Sequence, residues 1–196
     1  MSRPLGVVFA VLLAAVACGS QAAAAAAAAE PLLRYAVWAD EPASADRALR
    51  LEVHADGRVE LHRPAHFRDP GDFVAQVGAA QALRLVNDLR ALGVADFDPV
   101  EVAASAERAA LDRRARDGVL HASSETVTTE FVLAAAAPGA APKRLLFENL
   151  QWQAGLYPQV EALARLAEAE RRVQGFVDAV EAIASPAPVD GREPSP

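Results

Sequence analysis

The sequence predicts an α+β domain: an antiparallel sheet built from two hairpins, with helices packed on one face and a long C-terminal helix. Three observations predict it. Leu49 to His62 alternates apolar and polar residues on both sides of Ala55-Asp56-Gly57, the period of half-buried strands around turn chemistry. Thr126 to Leu133 and Lys143 to Phe147 repeat that plan across Pro138-Gly139. Each pair is followed by apolar residues at helical spacing: Leu83, Val86, Leu89 and Leu92 after the first, and a stripe from Leu156 through Leu163, Leu166, Val173, Phe176 and Val180 to Ile183 after the second.

The elements follow in order. Leu32 to Trp38, rich in aromatic and branched residues, reads as a first strand, and Asp40 to Asp46 as a polar loop. In the first hairpin a three-residue turn at 55–57, with Gly57 left-handed, sets Val53 opposite Val59 and Leu51 opposite Leu61. A two-residue turn would set Val53 against Glu60 and bury glutamates. Pro64 to Val77 reads as irregular loop, and Ala79 to Leu92 as a helix stopped by Gly93. Val100 to Asp117 is helical by propensity, but its apolar face is mostly alanine and is expected to anchor weakly. Asn149 to Tyr157 reads as a loop, with Pro158 as the first residue of the long helix. Glu161 with Arg165 and Glu168 with Arg172 mark that helix's solvated side. The polar, proline-rich residues 185–196 read as a disordered tail.

Composition bounds the function. The chain has 196 residues and a net charge of -7. Residues 32–184 make one domain of ordinary size. Lys143 is the sole lysine among many arginines, a bias expected of a GC-rich bacterial genome. An acidic surface repels phosphate backbones and anionic head groups, so no nucleic-acid partner is expected, and membrane contact only through a lipid anchor.

The N-terminus gives an address. Arg3 precedes Leu5 to Val16, an apolar run too short to span a bilayer and of signal-peptide length, so residues 1–17 read as a signal peptide. Ala15-Val16-Ala17-Cys18 resembles the bacterial lipobox, with alanine where leucine is commoner at position 15. That resemblance implies that Cys18 becomes a lipidated first residue and that 18–31 tethers the domain. The competing reading is an A-x-A site for ordinary signal peptidase, at Ala15-x-Ala17 or within Ala22 to Ala29. Cys18 is the only cysteine, so the domain has no disulfide. Both readings export the protein, to the periplasmic side of the cell envelope on a lipid or as a free secreted domain.

Signatures of chemistry are absent from the sequence. His54, His62, His66 and Asp56 cluster along the chain, but the chosen register puts His54 beside Arg58 and His62 beside Arg50, about 13 Å apart. Solvated strand-face histidines are expected, with no metal. Ser105, Ser123 and Ser124 lack a nucleophile elbow, and Glu101, Glu107 and Asp112 sit among arginines as surface pairs. No phosphate loop suggests a cofactor, and no catalytic residue is assigned. The stretch from Glu148 to Pro158 mixes aromatic and amide side chains. Asn149, Gln151, Trp152, Gln153 and Tyr157 are therefore the candidate partner-binding loop. The opposing reading has Trp152 and Tyr157 plugging the junction of sheet and helix.

The layout from Leu49 to Leu166 resembles small exported bacterial lipoprotein domains of unknown function: an Asp-Gly hairpin, a leucine-rich helix leading to Phe97, a Thr-Val-Thr strand and a final helix entered through proline. It is also similar in arrangement to emfourin, a proteinaceous inhibitor of thermolysin-type metallopeptidases. The first likeness implies a non-enzymatic envelope protein with a binding or structural role, and the second a secreted peptidase inhibitor. The implied partner is accordingly an envelope protein or a peptidase. No functional residue carries over from either.

Overall fold

The computed structural model of the chain describes residues 30–39, 47–118, 123, 125–137 and 139–187. The signal peptide, Cys18, the tether from 18 to 29, His121 and residues 188–196 lie outside them. Every described element belongs to the unit Pro31–Pro196.

Its described residues form a seven-stranded antiparallel sheet with four helices. The strands are β1 (Leu33–Ala39), β2 (Leu49–Val53), β3 (Arg58–Arg63), β4 (Gly71–Gln76), β5 (Val127–Leu133), β6 (Lys143–Glu148) and β7 (Ser185–Pro186). The helices are α1 (Ala79–Ala91), α2 (Pro99–Asp117), α3 (Leu150–Leu156) and α4 (Glu161–Glu181). Strand order is β6-β5-β1-β2-β3-β4-β7.

The first hairpin has the expected register: Leu51 pairs with Leu61 and Val53 with Val59. Gly57 has φ +87°, and an added Cβ would lie 2.7 Å from the Gly78 carbonyl carbon, so both backbone and space demand glycine. The inward set continues across the sheet through Leu33, Tyr35, Phe131, Leu133 and Leu145, all but inaccessible to solvent. The Tyr35 and Phe131 rings meet at 5.4 Å in a tilted pair. α4 closes this face with Leu163, Leu166, Val173, Phe176 and Val180 buried. Its Glu161–Arg165 and Glu168–Arg172 pairs form as read.

Six expectations need correcting. The 64–77 loop contains β4, whose Phe73 and Ala75 join the core opposite Leu61 and Val59; the edge of β3 recruits a short strand hidden behind Pro70-Gly71. In α1 the buried face is Ala82, Leu85, Val86 and Leu89, and Leu83 is 44% exposed. The 149–157 loop contains α3, and α4 begins at Glu161 because Tyr157 to Val160 first makes a turn. Ile183 lies past the end of α4 and is exposed. Within the tail read as disordered, Ser185 and Pro186 add to β4 as β7. The alanine-faced helix forms: Asp98 accepts from the Val100 N–H at 2.8 Å, Pro99 opens α2, and Val102, Ala106 and Ala109 are buried.

Candidate functional site

The strand-to-helix junction after β6 is set by one residue. Asn149 is the only non-glycine residue with positive φ among the described residues, at 52°. Asparagine tolerates this conformation better than most side chains. Its N–H donates to the Val127 carbonyl at 2.6 Å, and its Oδ1 accepts from the Val127 N–H at 2.9 Å. The chain then turns straight into α3.

Helix α3 sorts the predicted contact residues. Gln151 is exposed, and its amide reaches back to donate to the Ala167 carbonyl at 2.9 Å and to Glu170 Oε2 at 2.7 Å. Gln153 donates to the Glu148 carbonyl at 2.8 Å. Tyr157 is buried, and Trp152 remains 38% exposed. Four of the five thus hold the junction together, and Trp152 and Gln151 are the two that lie exposed. Tyr157 is the plug that the opposing reading expected, and Trp152 is not.

Behind Gln151 lies the residue that sequence reasoning missed. Glu170 is 3% exposed, in the middle of α4. Its Oε1 accepts from Thr129 Oγ1 at 2.7 Å and from the Tyr35 hydroxyl at 3.4 Å, while Oε2 takes Gln151. Every donor is neutral. Burial, and then the neighbouring carboxylate, push the Tyr35 hydroxyl's pKa far above its ordinary value, against an opposing hydrogen bond from Gln174. The signal was present: position 170 falls four residues after Leu166 and three before Val173, inside the apolar stripe. The ion-pair pattern of Glu168 drew attention to the other side of the helix. Among the described residues Glu170 lines neither a cleft of about 180 Å³ along β2, β3 and β4 nor one of about 480 Å³ between Phe67, Gln174 and Glu181.

The face away from the helices carries charge in rows. Glu52 and Glu60 stand directly opposite each other, an unfavourable pairing unless neutralised. Arg34 Nε lies 3.4 Å from Glu52, and Arg58 pairs with Glu60. His54 Nε2 is 3.4 Å from Glu60 Oε1 and 3.3 Å from Arg58 Nη2. His62 Nδ1 is 2.6 Å from Asp72 Oδ1. His54 is not solvated as expected, being 5% exposed, while His62 is half-buried and His66 exposed. His66 is apart from both, packed on the Phe67 ring at 5.0 Å.

Cross-strand pairing thus builds a group that sequence proximity did not suggest. Glu52, His54 and Glu60 each offer a donor atom, all within 4.8 Å of one another. Two carboxylates and an imidazole suit a divalent cation chemically. Arg34 and Arg58 already neutralise both carboxylates, so a metal would have to displace guanidinium partners. The arrangement is that of an ion-pair ladder.

Comparison of the chain with family models, curated proteins and solved structures finds no match. The site therefore rests on geometry. Of the eight large apolar residues exposed among the described residues, five belong to elements at the β6 end of the sheet: Val100 and Leu111 on α2, Val127 on β5, Leu146 on β6 and Trp152 on α3. That end is the candidate contact surface.

Proposed function

We propose that this chain is a non-enzymatic exported protein of the bacterial cell envelope, a lipoprotein anchored through Cys18, whose domain has a binding role. The observation that carries the anchor is the single cysteine directly after the apolar run and Ala15-Val16-Ala17. No helix among the described residues is long and apolar enough to cross a membrane, so a lipid is the attachment this reading requires. Support for binding comes from the distribution of side chains: the buried carboxylate serves packing, the outer charges pair with one another, and the exposed apolar residues gather around β6 and α3. The opposing proposal, a secreted peptidase inhibitor, draws on the layout of hairpins and helices alone.

The intact mass of the mature protein, beside Cys18→Ala, tests the anchor. A chain starting at Cys18 with acyl groups, lost in the variant, is the expected result. A bare mass beginning within Ala22 to Ala29 overturns it. Inhibition of a panel of thermolysin-type peptidases at micromolar protein would favour the inhibitor instead.

A further inference from the structure

The two ends of the sheet are finished differently. At one end β7 is two residues, Ser185–Pro186, paired with Val74 and Phe73. A very short strand carrying proline blunts an edge. At the other end β6 has six residues and no proline, and among the described residues it pairs only with β5.

The direction of its free backbone groups follows from two hydrogen bonds. Asn149 N–H reaches the Val127 carbonyl at 2.6 Å, and Ala134 N–H reaches the Leu32 carbonyl at 2.9 Å. With the β5–β6 register, Lys143, Leu145 and Phe147 turn their backbone groups toward β5. Arg144, Leu146 and Glu148 turn theirs outward. Among the described residues, the only hydrogen bond on that outer row is the one from Gln153 to the Glu148 carbonyl, which keeps a second lone pair.

The outer row is complementary to itself. Antiparallel pairing about an axis at Leu146 sets Leu146 against its own copy and Arg144 against Glu148 at both ends. Each of these pairs would exchange two hydrogen bonds. Leu146 is 47% exposed, and the Arg144 side chain 70% exposed, before any partner arrives. Registers centred on Arg144 or on Glu148 would put like charges on the axis, and those centred on Leu145 or Phe147 would set Leu146 against a lone charge, so only the Leu146 register matches Arg144 with Glu148. Charged residues ordinarily keep an edge strand apart from others; here their order permits one partner.

We propose that β6 is an interface with a second copy of this chain, joining two sheets antiparallel into one. The proposal rests on reading the β6–α3 end as the contact surface and does not depend on a lipid at Cys18. Mature protein carrying Cys18→Ala should sediment at twice the chain mass. Its Arg144, Leu146 and Glu148 amides should be protected from hydrogen exchange and lose protection on dilution. Arg144→Glu should weaken the dimer roughly tenfold or more, about 1.4 kcal/mol. Adding Glu148→Arg should restore it, although the internal Arg144–Glu130 pair is lost in both variants. A monomer at every soluble concentration, a dimer whose edge amides exchange freely, or a double variant as weak as the single one overturns the proposal. Intact mass reads the anchor separately, so failure of either is visible without the other.

Discussion

The two faces of the sheet treat charge in opposite ways. Under the helices a single carboxylate, Glu170, is held by the neutral donors Thr129, Gln151 and Tyr35 in a packed core. On the outer face Arg34, Glu52, Glu60 and Arg58 form a ladder of opposite charges beside water, with His54 packed against it. An interaction in the core cannot be replaced by solvent, whereas water and salt stand ready to replace one outside. The same residue type therefore specifies packing on one side and contributes little on the other.

The largest effect should come from Glu170→Ala. It strands two buried donors, Thr129 and Tyr35, frees the exposed Gln151 and opens a gap between α4 and the sheet, and should cost about 2–4 kcal/mol in urea unfolding. A change below about 1 kcal/mol would show that the donors find other partners and would weaken the contrast.

An intermediate effect should appear in alkaline solution. Burial raises the Tyr35 pKa, so the folded chain disfavours the phenolate. Unfolded tyrosine titrates near 10, so stability from this group is complete below about pH 10. It should then fall by about 1.4 kcal/mol per pH unit above that value. Tyr35→Phe should flatten this slope; equal slopes in both proteins would place the loss elsewhere.

The smallest effect belongs to the outer face. Arg34→Ala should cost about 0.2–1 kcal/mol, and less in high salt. A cost as large as that of Glu170→Ala would mean that the ladder acts as a cooperative network and would erase the distinction between the faces.

Legibility in the sequence followed period and turn chemistry. The 55–57 turn and its register were readable because a one-residue slip would have turned glutamates inward at Val53 and Val59. β4 was hidden because its Phe73 and Ala75 gain meaning only beside β3. α3 was hidden because seven residues starting from a left-handed Asn149 carry no helical stripe of their own. In the contact region Trp152 and Gln151 are exposed, but the bonds from Gln151 to Ala167 and Glu170 were not legible because those partners lie a helix away.

By itself the sequence determined the α+β plan, the first hairpin's register, the α4 stripe and the lone position of Cys18. These depend on neighbours along the chain or directly across one turn. Tertiary structure decided the strand order, the burial of Glu170, the grouping of His54 with Glu52 and Glu60, and which edge stays open. Each requires residues far apart in the chain to be brought together, and local periodicity carries no record of which strand will lie beside which.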